Sequence, residues 1–334
     1  MLSRSRLLTL VGALLGTLLF AYAVDRAGIS EILDGIQRVG WGLLVILALA
    51  GLRFVLRAEC WRLCVPPTTR LTRGQAFSAF LAGDAVGNVT PLGMLASEPT
   101  KVLLSRRHLA AREAVSSLAL ENVVYAASVV TMIGIGVVVT LATLPLPDTW
   151  RWGGIAVLVG LAAIATAGLR LLQGTWDDER GVRPRWREKL AGVRRSIVGF
   201  SADYRGRLWR VFVLDLLFHL LAVIEIFVTM QWLLGRGGVT FPQAVIFEAL
   251  NRVVTVVFKF VPFRIGVDEA LTGGLATALA IDPAAGVVLA VVRKIRNLFW
   301  SGVGLAIVIA HPARRRTETA DALPDTAAPR PRRD

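Results

Sequence analysis

Cysteine, histidine, tyrosine and methionine are scarce in this chain, at two, three, three and four residues, and only 19% of its residues are charged. Cys60 and Cys64 stand one helical turn apart, while His108, His219 and His311 are scattered, so no Cys/His metal-binding pattern is present. The cysteines sit beside Arg57 and Arg62 at the end of an apolar segment, which puts them on the reducing side of a membrane and argues against a disulfide. His-Glu-x-x-His, Gly-x-Ser-x-Gly and paired aspartates at active-site spacing are all missing, which leaves little room for a membrane-embedded enzyme acting on lipid or peptide bonds. No catalytic residue, cofactor or metal is therefore expected.

What the chain has in abundance is apolar sequence: 54% of residues are hydrophobic. A bilayer core of roughly 30 Å takes about 20 helical residues. Runs of that length occur near residues 6–25, 40–62, 114–142, 152–172, 208–234 and 285–310. The first follows a basic start with no clear small-residue cleavage site, and reads as a retained anchor. The formal charge of +14 comes mostly from arginine and lies between the spans, where it signals topology; nucleic acid is not an expected partner.

Two further apolar segments, 74–107 and 241–280, are interrupted around Pro91 and Pro262 by proline, glycine and charge. Each half is about 15 to 17 residues, too short to cross comfortably. Read as re-entrant hairpins, they put Arg4 and Arg6, the 62–73 stretch, 101–112, 180–210 and 314–316 on one cytoplasmic face, leaving no basic excess opposite. Both termini are then cytoplasmic, in the cell membrane. The fold expected is all-α: a polytopic integral membrane protein of about six full spans plus two broken-helix hairpins.

Aligning Pro91 with Pro262 places Glu98 on Glu269, seven residues on in both; downstream, with a one-residue shift that sets Leu109 on Ile281, Glu121 and Arg293 each follow twelve residues on. Repeat one covers about 74–143 and repeat two about 241–310. Three full spans separate their starts, so the second copy enters from the opposite face and the repeat is inverted, an arrangement that recurs in secondary transporters. Within the cytoplasmic loop 173–207, Trp186, Leu190, Val193, Ile197 and Phe200 fall on one helical face flanked by basic residues. This amphipathic helix either lies on the anionic leaflet or packs on other spans as a linker. The transmembrane domain spans residues 1–311, and the basic tail 312–334 reads as disordered.

Ionisable residues inside apolar spans are numerous: Arg53, Arg57, Glu121, Asp215, His219, Glu225, Glu248, Arg252, Lys259, Arg293, Lys294 and Arg296. Each needs a partner or water. One reading is mutual neutralisation, with Glu98 and Glu269 taken up by Arg293, Arg296 or Arg252. Another is a polar cavity whose arginines receive a phosphate-bearing headgroup. Asp84 and Asn88 read as caps of broken helix ends; Asp215 and His219, one turn apart on one span, read as hydrogen-bonding to other helices, with a proton relay as the alternative.

At Gly83-Asp84-Ala85-Val86-Gly87-Asn88-Val89-Thr90-Pro91 through Glu98-Pro99-Thr100-Lys101, and at Val261-Pro262 through Gly266-Val267-Asp268-Glu269-Ala270, the chain resembles the flippase-like transmembrane region of lysylphosphatidylglycerol synthases. The first loop keeps Gly93 and the second Gly266, but Met94, Leu95, Ala96, Ser97 and Arg264 depart from that family's glycine-richer pattern. The resemblance implies lipid translocation between leaflets, without an aminoacyl-transferase activity. Its expected path residues are Asp84, Asn88, Pro91, Gly93, Glu98, Lys101, Glu121, Arg252, Lys259, Pro262, Gly266, Asp268, Glu269, Arg293 and Arg296. Expected partners are membrane lipids, with a second copy or a synthase also open. The alternative function is a scaffold for a lipid- or envelope-synthesis enzyme.

Overall fold

The computed structural model describes residues 29–66, 69, 71–90, 93–173, 205–258 and 261–321. Among these the chain forms ten α-helices and one 3-10 turn, and no strand. The expected first span, Pro91, Lys259, and the helix from Trp186 to Phe200 lie outside the described residues.

Helices α1 (Ile29–Val39) and α2 (Gly42–Cys64) are set at 74° across Gly40, whose φ of +44° favours glycine. Then come α3 (Arg73–Val89), α4 (Met94–Ser105), α5 (Ala111–Thr143), α6 (Asp148–Gln173), α7 (Arg205–Leu234) and α8 (Phe241–Val257). A 3-10 turn (Pro262–Arg264), α9 (Val267–Ala278) and α10 (Pro283–Asp321) complete the order. Three helices, α5, α6 and α7, are long and apolar enough to cross a membrane, and four with the bent α1–α2 pair. The count is lower than the six expected because residues 6–25 lie outside the described set and because α10 carries Arg293, Lys294 and Arg296 within one turn.

The two interrupted segments begin alike. Thr72 caps α3 and Thr240 caps α8, each through a reciprocal box with the glutamine three residues on, Gln75 and Gln243. Each helix then runs for 17 residues. Helix α3 stops at Val89, and Thr90, just before Pro91, is extended with ψ of 140°, because the proline ring disfavours a helical residue before it. At the second break, Phe263 and Arg264 take φ of 49° and 48°, and Gly266, at +81°, opens α9.

After the first break α4 folds back along α3. At Gly83 and Gly87 there is no room for a side chain: a Cβ would fall 2.9 Å from Ser97 O and 3.2 Å from Gly93 O respectively. Helix α9 packs instead along α10. The lead-in helices then pair crosswise, α3 against α10 and α8 against α5. Each crossing has a glycine in the long helix facing an alanine in the lead-in: Gly304 on Ala85 and Gly136 on Ala249. In both, the glycine also faces the carbonyl one turn earlier, Leu81 O and Val245 O.

The main core gathers Phe247, Ile226, Met230, Val288 and Leu289 from α7, α8 and α10. A second, around Trp61, Phe80 and Leu118, joins α2, α3 and α5, where the Trp61 indole N–H donates to Ser117 Oγ at 3.0 Å. Cys60 and Cys64 are free and buried against Leu120 and Val211. Helix α10 is described as far as Asp321.

Candidate functional site

The site is made where the two breaks meet, since α3 touches the 3-10 turn of the second interruption. In the first break, Asn88 Nδ2 donates to Asp84 Oδ2 at 2.9 Å and to Ser301 Oγ of α10 at 3.4 Å. Lys101, itself buried, donates to Glu98 Oε1 at 2.9 Å and lies 4.1 Å from the centre of the Phe80 ring. Gly93 supplies the carbonyl that receives Ser97 N–H at 2.8 Å as α4 begins. Beside Glu98 a cleft of about 640 Å³ opens between α4 and α5, with Val102, Leu103, Val115 and Leu118 as walls, Asn122 opposite and Arg106 at its basic end.

In the second break Glu269 is wholly buried. Its Oε2 accepts the Gly266 N–H at 2.8 Å and its Oε1 accepts Lys294 Nζ at 2.5 Å. The carboxylate thus caps α9 and ties it to α10. Arg264 Nε donates to Asp268 at 3.0 Å, which holds the turn next to the cap.

Between the breaks lies a buried ionic network on α2, α5, α7, α8 and α10. Arg57 is gripped by Glu121 at 2.6 Å and Asp215 at 3.0 Å, and stacks 3.7 Å from the Tyr125 ring centre. Glu225 binds Arg296 and, at 3.2 Å, Arg53. Glu248 binds Arg252 at 2.7 Å and accepts from Asn251 at 3.0 Å. Arg252 also donates to the Tyr125 hydroxyl at 3.1 Å, which joins the two parts of the network. Arg293 comes only to 3.9 Å from Glu248. Among the described residues, five guanidiniums therefore face four carboxylates. In an apolar interior such groups hold together only through one another, and removing one partner costs about 3–5 kcal/mol.

A family model described as lysylphosphatidylglycerol synthase TM region matches residues 9–305. The chain belongs to that family. No curated protein and no solved structure shows significant similarity to it. In this member of the lysylphosphatidylglycerol synthase TM region family, the matched stretch takes in both breaks and the whole ionic network.

The structure brings Glu121, Arg252, Arg293 and Arg296 into that network, and sets Asp84, Asn88, Gly93, Glu98 and Lys101 at one break and Pro262, Gly266, Asp268 and Glu269 at the other. Two expected pairings are corrected. Glu98 and Glu269 do not take up Arg293, Arg296 or Arg252; they bind Lys101 and Lys294, which are nearer, one turn along α4 and directly across α10. Asp84 and Asn88 are not caps, because both lie in the last turns of α3 and bond to each other, whereas a side-chain oxygen caps a helix at its start. His219 pairs with Ser128 Oγ at 3.2 Å on α5 and lies 3.7 Å from Glu248, while Asp215 goes to Arg57. Glu225, Glu248, Arg53, Arg57 and Lys294 were visible as ionisable residues in apolar spans but absent from the expected path. Burial of a charge in such a span was the signal, and it lay outside the repeat motifs.

Proposed function

We propose that this protein translocates lipids with a phosphate-bearing headgroup between the leaflets of the cell membrane. The observation that carries the reading is Arg293: a guanidinium in the protein interior, next to four others, whose one carboxylate contact among the described residues is at 3.9 Å. Such a group is suited to bidentate contact with phosphate. The cleft beside Glu98 has apolar walls along which acyl chains stay in the hydrocarbon while the headgroup crosses through the network.

About six spans, with both termini cytoplasmic, fit the distribution of basic loops. An inverted repeat is supported by the matching Thr-x-x-Gln caps, the equal 17-residue lead-in helices and the two glycine–alanine crossings. Under this reading each lead-in helix is bedded on the other half's long helix, and the halves rock about those crossings while the site opens to one side and then the other.

The test is leaflet exchange of fluorescent phosphatidylglycerol in proteoliposomes, read by accessibility to a membrane-impermeant quencher. Wild type is expected to speed exchange above protein-free vesicles, with Arg296→Gln and Glu269→Gln reduced at least tenfold. Wild-type exchange no faster than empty vesicles, for phosphatidylglycerol and for polyprenyl-phosphate lipids alike, overturns the reading.

A further inference from the structure

We infer that the central network selects lipids whose headgroup carries one negative charge, a phosphodiester, over phosphomonoesters. This deepens the translocase reading and rests on it. Counting histidine as neutral, the five arginines and four carboxylates among the described residues leave one positive charge over. It resides at Arg293, because Glu248 is already engaged by Arg252 and Asn251 at 2.7 and 3.0 Å.

The other interior ions do not consume this surplus. Lys101 with Glu98, Lys294 with Glu269 and Arg264 with Asp268 balance one to one. Asp84 bonds to Asn88 and makes no ion pair with Arg293 among the described residues.

A phosphodiester brings one negative charge and two free oxygens for a guanidinium fork, and leaves the network neutral. A phosphomonoester, with a second pKa of about 6, is close to doubly charged at pH 8 and leaves a negative charge uncompensated in a low-dielectric site. Among polyprenyl lipids the same arithmetic admits those whose phosphate is esterified on both sides and turns away the bare monophosphate.

Phosphatidylmethanol and phosphatidic acid with identical acyl chains differ at the headgroup by one methyl ester and, at pH 8, by nearly one charge. Native mass spectrometry of the purified full chain should retain phosphatidylmethanol about tenfold over phosphatidic acid, a difference of roughly 1.4 kcal/mol. Arg293→Gln removes the surplus and should drop retention of both to the level of neutral diacylglycerol. Glu248→Gln doubles the surplus and should reverse the preference; if that variant does not fold, Glu121→Gln carries the same change of charge.

Equal retention of the two lipids by wild type overturns the inference, as does a ratio that neither charge variant moves, or no retention above diacylglycerol. The exchange assay separates the two readings. Rapid exchange without charge preference sinks the selectivity and keeps the translocase, while preference without exchange sinks the translocase and keeps the selectivity.

Discussion

Replacing Glu225 by glutamine removes the one carboxylate that Arg53 and Arg296 share. Glu225 is 1% exposed, Arg53 8% and Arg296 7%, so water cannot replace the lost charge without opening the helices around it. Breaking a buried pair from one side costs about 3–5 kcal/mol, and two guanidiniums are stranded here. Glutamine keeps an acceptor oxygen, so the lower end of that range, about 3 kcal/mol, is expected. At about 2 °C per kcal/mol for a chain of this size, the melting temperature in detergent should fall by roughly 6 °C. Tryptophan fluorescence reads the transition, with nine tryptophans as reporters. Replacing all three together, Arg53→Met, Glu225→Leu and Arg296→Met, should restore most of the loss, because an apolar set of similar volume has no charge to desolvate. A Glu225→Gln melting point within about 1 °C of wild type would refute the reasoning, since on the same scale it means a cost below about 0.5 kcal/mol and hence charges that are hydrated.

The two glycine crossings should respond alike: Gly136→Leu and Gly304→Leu each overpack a helix pair and should cost about 1–3 kcal/mol by chemical denaturation in mixed micelles. The two glutamates of the breaks should not. Glu269→Gln loses Lys294 and weakens the cap of α9, and should destabilise by about 3 kcal/mol, whereas Glu98→Gln, at a side chain 27% exposed that water can reach, should cost less, about 1 kcal/mol, although Lys101 is buried. Thr72→Ala and Thr240→Ala each remove a cap and should cost about 1 kcal/mol apiece, read in the same denaturation. Equal losses for Glu98→Gln and Glu269→Gln would contradict the assigned partners.

The breaks were legible because proline and glycine act locally: α3 ends two residues before Pro91, and the second interruption falls at Pro262. The starts of α3 and α8 are marked equally locally, by a threonine followed by glutamine three residues on. Pairing was not legible. Arg53 meets Glu225 across 172 residues and Arg57 meets Asp215 across 158, and hydropathy identifies spans without saying which faces oppose. Lys101 beside Glu98 shows a different failure. That pair is three residues apart and open to a local reading, but the repeat drew Glu98 toward distant arginines.

The crosswise bedding of α3 on α10 sets an order in time. Helix α3 is complete once residue 89 has been made, yet the glycine that receives Ala85 is Gly304, more than two hundred residues later. Throughout synthesis of the intervening chain, the face of α3 bearing Leu81 and Ala85 lacks the helix on which it finally rests. Chains broken off before residue 304 would carry that face unsatisfied, as a mark by which membrane quality control can tell an unfinished molecule from a finished one.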